Sequence, residues 1–289
     1  MDNTLVSSTL EKLTPKQEES LLLSLEKEEA KSNPLSITED GFLWIKTKSG
    51  ELKPLILNKA QERIITSIRG LLAKSKPIRL IILKARQTGV STLIEGIIYS
   101  YISQQENLNA LIVADDADGA DYLFEMSKLY QEKLVPHLRP IEKKSNAKKL
   151  EFEHIHSQIL IDTAENKDCG RKYTFRLVHL SEYAFYHYPS ELMLGLSQAV
   201  PSLPGTMIIK ESTANGFNHF KTEWDAAVNK ETDYIPIFIP WYWADEYKMP
   251  IEGENFVVGD LTMGDLTKLE AQIATQMRTE GIDCVEERL

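Results

Sequence analysis

Cysteine is scarce in this chain of 289 residues: only Cys169 and Cys284 occur, far apart and in no metal-ligand spacing. That scarcity excludes a disulfide framework and fits a reducing compartment. Long apolar runs are also missing. None approaches the ~18 residues that a membrane span needs, and the acidic N-terminus lacks a secretory-signal pattern. There is no internal repeat and no low-complexity segment. A hydrophobic content of 42% with 26% charged residues excludes wholesale disorder. Basic charge is short as well, with 33 Lys+Arg against 43 Asp+Glu and a net charge of −10. Taken over the whole chain, that balance argues against a nucleic-acid binder.

The acid is not evenly spread. Residues 1–40 hold 4 basic and 9 acidic residues, and residues 245–289 hold 4 and 11. The stretch 41–244 is therefore slightly basic, at +2. Such asymmetry divides the chain into an acidic N-terminal helical arm (1–40), a core (41–247) and an acidic C-terminal linker or small subdomain (248–289). A compact body of this length buries roughly 75% of its unfolded surface, so it needs no disulfide or metal for stability.

Hydrophobic periods give the organisation. Leu10, Leu13, Leu21, Leu22 and Leu25 fall partly at helical spacing, which predicts a peripheral helix or pair ending near Asn33-Pro34. A hairpin follows over residues 42–57 around Gly50, and Asn58 is placed to cap a helix. Apolar strands at 78–83, 110–114, 175–180, 206–210 and 234–239 then alternate with helical stretches at 91–103, 117–134 and 217–228. A hairpin is expected at 150–154 and 158–162. This alternation predicts an α/β fold, a mostly parallel sheet with helices on both faces.

The turn after the first strand carries the main signal: Lys84-Ala85-Arg86-Gln87-Thr88-Gly89-Val90-Ser91-Thr92. A phosphate-binding loop has the form G-x-x-x-x-G-K-[ST] between a strand and a helix. Here Lys84 stands where the first glycine belongs and Val90 where the lysine belongs, while Ser91 keeps the hydroxyl suited to Mg²⁺. A lysine at the loop entrance can aim inward like one at its exit, and free N–H groups at the helix start complete an anion site. The plain alternative is a polar turn. A second element is Leu177–Glu182, an apolar strand ending in an acid. Nucleotide hydrolases usually carry Asp-Glu there, for Mg²⁺ and for the attacking water. Ser181 replaces the Asp and Glu182 keeps the base position; alone, Glu182 reads as a surface acid. The third element, Glu211 to Phe217, places hydroxyl and amide groups after a strand, where they can sense a γ-phosphate. Its alternative is a helix cap made by Thr213 or Asn215.

Together, residues 84–91, His179-Leu180-Ser181-Glu182-Tyr183-Ala184-Phe185 and Ser212-Thr213-Ala214-Asn215-Gly216 resemble the ATPase domain of the large terminase subunit, the DNA-packaging motor of tailed bacteriophages. Pro236–Trp241 resembles the segment that closes this domain. The resemblance implies an additional-strand, RecA-like P-loop ATPase using ATP and Mg²⁺, acting on duplex DNA through its backbone in the host cytoplasm. It implies portal protein or procapsid and a small terminase subunit as partners, and a homo-oligomeric ring on the portal.

Site roles follow from the same resemblance. Lys84 would contact the β- and γ-phosphates, with Arg86, Gln87, Thr88, Gly89, Val90, Ser91 and Thr92 lining the loop. Ser91 and, through water, Ser181 would hold Mg²⁺, and Glu182 would activate water. Arg86 would stabilise transition-state charge or else form a surface salt bridge. Gln61 would read adenine with its amide or stand as an exposed helix residue. Thr213 and Asn215 would couple hydrolysis to movement. Arg171 would reach a neighbouring subunit as an arginine finger, or belong to a solvated basic loop.

Lys143, Lys144, Lys148 and Lys149 would meet DNA phosphates or form a solvated face, and Trp241-Tyr242-Trp243 is expected to pack at the domain edge. A short helical pattern at 266–277 leaves no room for the family's nuclease domain, so no DNA cleavage is expected. Two other readings of the residues are a helicase-like translocase and a nucleotide-binding scaffold that does not hydrolyse.

Overall fold

The computed structural model describes residues 14–166, 168–244 and 268–282. The N-terminal helix α1 (Pro15–Ser32) starts at a capping box between Thr14 and Gln17 and lies largely on the surface. A single turn, α2 (Leu35–Glu39), follows. Leu35 and Ile37 are fully buried in the main hydrophobic cluster, so the core begins ahead of the boundary expected at residue 41. Strands β1 (Trp44–Lys46) and β2 (Leu52–Pro54) form the expected small hairpin. Helix α3 (Lys59–Ala73) is capped by Asn58, whose side chain accepts from the backbone N–H of Gln61, while Gln61 returns the bond. This reciprocal arrangement satisfies two helix-start donors at once.

An eight-stranded sheet forms the centre, in the order β10-β3-β9-β8-β4-β7-β6-β5. Its parallel strands are β3 (Ile78–Lys84), β4 (Asn109–Ala114), β7 (Gln158–Thr163), β8 (Leu177–Ser181), β9 (Met207–Ser212) and β10 (Ile235–Ile239). β6 (Lys149–Phe152) runs antiparallel to β7, as expected of that hairpin. β5 (Glu142–Asn146) is an exposed edge strand that hydropathy does not reveal, because all its residues face solvent. Lys143 and Lys149 converge there on Glu151, at 2.8 and 2.6 Å.

Helices α4 (Val90–Gln104) and α5 (Ala117–Lys133) cover one face of the sheet; α6 (Pro189–Ala199) and α7 (His219–Val228) cover the other. Parity fixes which side chain faces which layer, because alternate strand residues point to opposite faces. Leu80, Ile82, Ile112, Leu177, Met207 and Ile209 join the α4 layer, whereas Ile81, Val113, Val178, Leu180 and Ile208 join the α6 layer. Extending the same parity puts Lys84, His179, Ser181 and Glu211 on the α4 face. It puts Lys210 on the other, where it pairs with Glu223 of α7 at 2.5 Å. Every residue of α4 from Leu93 to Gln104 is buried, so Glu95 has no route to solvent.

The final helix, α8 (Lys268–Thr279), packs Ala274 and Met277 against Tyr242. Glu280 then ties this end to the core, accepting from Trp243 Nε1 at 2.5 Å while Lys59 Nζ donates to its carbonyl at 3.1 Å. The residues 241–243 thus pack at the edge of the core, as expected. Cys284 lies outside the described residues, and Cys169 is buried as a free thiol.

Candidate active site at the carboxyl edge of the sheet

β9 lies between β3 and β8, with Leu83 in register with Ser212 and Ser181 in register with Glu211. This topology brings the ends of three strands together: Lys84 from β3, Ser181 and Glu182 from β8, and Glu211 with Ser212 from β9. Ligand sites of open α/β sheets lie at this edge. The loop between β3 and α4 turns sharply, with Gln87 at φ 58° and Gly89 at φ 74°. Left-handed backbone is native to glycine and costly for glutamine, so the loop holds a strained residue at the site.

Lys84 sits at the centre. Its ammonium is 2.8 Å from Glu182 Oε1 and 3.1 Å from Glu211 Oε2. Glu182 itself adopts a left-handed backbone at φ 50°. Its other oxygen accepts from Thr213 N at 3.2 Å, Thr213 Oγ1 at 3.4 Å and Ser212 Oγ at 3.3 Å. Thr213 therefore positions the expected base. Asn215 donates to the Ala184 carbonyl. Neither residue caps α7, because Asn218 fills that place.

Glu211 opens the third motif, but no role was expected of it. It is fully buried, and its Oε1 accepts from both Ser91 Oγ and Ser181 Oγ at 2.8 Å. Behind it stands His179, with Nε2 3.3 Å from Glu211 and Nδ1 2.6 Å from Glu95 Oε1. A line of ionisable groups results, running from Glu95 through His179, Glu211 and Lys84 to the half-buried Glu182; burial raises the Glu95 pKa despite its contact with His179.

Burial alone would lower the His179 pKa, but the hydrogen bonds and charges of Glu211 and Glu95 raise it to about 9. Burial would raise Glu211, yet the Lys84 charge and the contacts with His179 hold it well below the usual carboxylate range. Burial also opposes the charge on Lys84, and the Glu211 and Glu182 carboxylates outweigh it, raising its pKa.

The remaining expected residues divide into three groups. Gln61 is not an exposed helix residue: it is buried at the loop, with Nε2 donating to the Gly89 carbonyl at 2.8 Å and Oε1 accepting from Asn58 N at 3.0 Å. Val90 and Thr88 are buried, so Val90 offers the loop only its backbone. Thr92 is half-buried, its carbonyl accepting from Tyr130, and Arg86 and Gln87 stand exposed on the rim.

Ser181 donates its hydroxyl to Glu211, and the carboxylate beside Ser91 comes from the neighbouring strand. Arg171 is not brought to the cluster. It pairs with Asp168 at 2.6 Å in the loop between β7 and β8, beside Gly195 of α6.

The donors around Ser91 are hydroxyl and carboxylate oxygens, the chemistry that Mg²⁺ accepts. Among the described residues no group of three or more His, Cys, Asp or Glu side chains is arranged to hold a metal ion.

No protein-family model matches the chain. Solved structures do match in fold. The large terminase of bacteriophage HK97 is 18% identical, with a TM-score of 0.57 over 89% of this chain and 54% of that one. The ATPase domain of the Thermus phage P74-26 large terminase gives 0.50 at 13% identity, over 80% of this chain and 92% of that domain. A mutant of the same domain gives 0.50 at 15% identity, over 63% and 80%. The fold is that of a large terminase ATPase domain. The chain spans little more than half of the HK97 terminase, and 80–92% of the P74-26 ATPase domains. This likeness in fold agrees with the resemblance that the three motifs carry, and β9 lies between β3 and β8.

Proposed function

We propose that this chain is the ATPase motor of a viral DNA-packaging terminase, hydrolysing ATP to drive duplex DNA into a procapsid. The observation that carries the reading is the meeting of Lys84, from the loop entrance, with Glu182, from β8, at the ligand edge of a terminase fold. This meeting supports a reading in which the displaced lysine serves a phosphate and the carboxylate serves water.

In this reading the loop N–H groups and Lys84 bind the β- and γ-phosphates, and Gly89 lets the backbone approach. Lys84 leaves Glu182 as the phosphate arrives. Glu182, held by Thr213 and Ser212, then orients a water on the γ-phosphorus and takes its proton as the bond to the β-phosphate oxygen breaks. Mg²⁺, held from Ser91, would neutralise charge on the phosphate oxygens. Arg86 stabilises charge from within the loop, and Gln61 meets adenine from beside Gly89. Thr213 and Asn215 transmit the state of Glu182 to the 212–218 segment that leads into α7. Arg171 serves a neighbouring subunit in a ring on the portal, with the small terminase subunit and backbone-gripped DNA as further partners.

The test is ATP turnover at saturating Mg²⁺. Lys84→Ala and Glu182→Gln are expected to abolish turnover, and Val90→Ala to keep it. Mixing Arg171→Ala with Glu182→Gln is expected to restore part of the rate, since an arginine finger is worth ~10³–10⁵ in rate. Nucleotide binding without turnover, in the presence of DNA and at high protein concentration, would mark a scaffold instead.

A further inference from the structure

The terminase motifs lead one to look for the metal-holding carboxylate at position 181, and the chain has a serine there. A hydroxyl carries no charge to set against a divalent cation. The nearest carboxylate to Ser91 is Glu211, which arrives one strand away because Ser181 and Glu211 are in register on parallel strands. Serine at 181 is small enough to leave that space open. Its hydroxyl then turns toward the carboxylate, so Glu211 Oε1 receives two hydroxyls, from Ser91 and Ser181, both at 2.8 Å.

Two further features separate Glu211 from an ordinary structural acid. Its second oxygen is buried and receives no hydrogen bond, with the Lys84 ammonium at 3.1 Å as its counter-charge. Buried carboxylate oxygens are normally hydrogen-bonded. Behind it, His179 bonds Glu95 through Nδ1 at 2.6 Å, and its buried Nε2 lies 3.3 Å from Glu211 Oε1 without a hydrogen bond. This contact backs the carboxylate with a further ionisable group, as the outer residues of a metal site do.

We propose that Glu211, rather than the residue at 181, is the carboxylate that holds Mg²⁺ beside Ser91 when nucleotide is bound, with His179 as its positioning residue. The inference rests on the nucleotide-binding reading above. It follows from the charge left behind when Lys84 turns to a phosphate: Glu211 then loses its nearest cation, and a divalent ion beside Ser91 replaces it. Mg²⁺ commonly takes one or two carboxylates and completes its shell with phosphate and water oxygens. Glu211 and Ser91 supply that minimum.

The experiment measures binding of a fluorescent ATP analogue to the full chain in EDTA and in Mg²⁺. Mn²⁺ uptake by the ADP complex is followed in parallel by electron paramagnetic resonance, so that neither readout needs turnover. The wild type is expected to bind nucleotide in EDTA and more tightly with Mg²⁺. Glu211→Gln is expected to keep binding in EDTA while its Mn²⁺ affinity falls by at least the roughly 10–100-fold that loss of a ligand's outer support costs. Ser181→Ala should lose less than Glu211→Gln.

Glu211→Asp keeps the charge opposite Lys84 and His179, and therefore the fold, but withdraws the oxygen. A fall of ~10-fold in its Mn²⁺ affinity is expected. His179→Gln should weaken Mn²⁺ binding without changing nucleotide affinity in EDTA. Wild-type Mn²⁺ affinity in Glu211→Gln or Glu211→Asp overturns the assignment alone. A wild-type chain that binds nucleotide in neither EDTA nor Mg²⁺ overturns the nucleotide reading and this assignment with it.

Discussion

The ammonium of Lys84 lies 2.8 Å from Glu182 Oε1, so the lysine of the loop entrance and the acid that ends β8 form one ion pair. Lys84 also neutralises Glu211, which is wholly buried. Removing one partner of a buried ion pair costs about 3–5 kcal/mol, because the other charge is left uncompensated. Lys84→Ala should therefore lower stability as well as turnover. In urea unfolding, Lys84→Ala combined with Glu211→Gln should recover part of the loss of Lys84→Ala alone. Strict additivity of the two changes would contradict the pairing.

His179 gives stability a pH dependence of known sign. Its pKa rises from about 6.5 in the unfolded chain to about 9 in the folded one, where Glu211 and Glu95 flank it. A group raised by folding contributes fully below its unfolded pKa, and the contribution fades as pH climbs through the folded value. The stability advantage of wild type over His179→Gln should be largest near pH 6 and shrink by pH 9.5. Thermal melts across that range measure it, and a constant difference would remove His179 from the charged line.

Gly89 is required by backbone and by space. It sits at φ 74°, and a Cβ there would stand 2.9 Å from Gln61 Nε2. Left-handed backbone costs a non-glycine residue about 1–2 kcal/mol. Gly89→Ala should lower the melting temperature accordingly. Adding Gln61→Ala should relieve the clash but not the backbone cost, leaving a residual loss. Full recovery in the double variant would place the whole penalty in the side-chain contact.

Glu280 anchors α8 through Trp243, Tyr242 and Lys59. Its partial exposure limits the worth of these contacts to about 1 kcal/mol. Glu280→Ala should speed amide exchange in residues 271–279 while leaving the sheet strands protected. Unchanged exchange there would show that Ala274 and Met277 hold the helix unaided.

Much of this architecture is legible in the chain. The strand positions, the Asn58 cap and the strand-to-helix loop follow from hydropathy and turn chemistry, because each is encoded within a few neighbouring residues. Two helical segments are not so encoded: α2 is too short to show a period, and α6 follows Pro189 after an irregular stretch. The charged line is harder still, since its members come from α4, β8, β9 and β3 and meet only in the folded sheet.

A signal was nevertheless present. Glu95 interrupts the apolar run Leu93–Ile98, His179 interrupts an apolar strand, and Glu211 ends another. Charged groups in fully buried elements must find one another. Strand parity would have placed His179, Ser181 and Glu211 on one face. It would not have told which strands are neighbours, and the register of Ser181 with Glu211 depends on that.

Rapid-quench hydrolysis of ATP by Glu182→Gln beside wild type tests the motor reading most directly. Glu182→Gln should bind MgATP as wild type does and cleave it slower by ~10²–10⁴-fold, the usual contribution of a general base. Cleavage by Glu182→Gln at the wild-type rate would contradict the assignment of Glu182 as the base, and with it the catalytic edge built around Lys84.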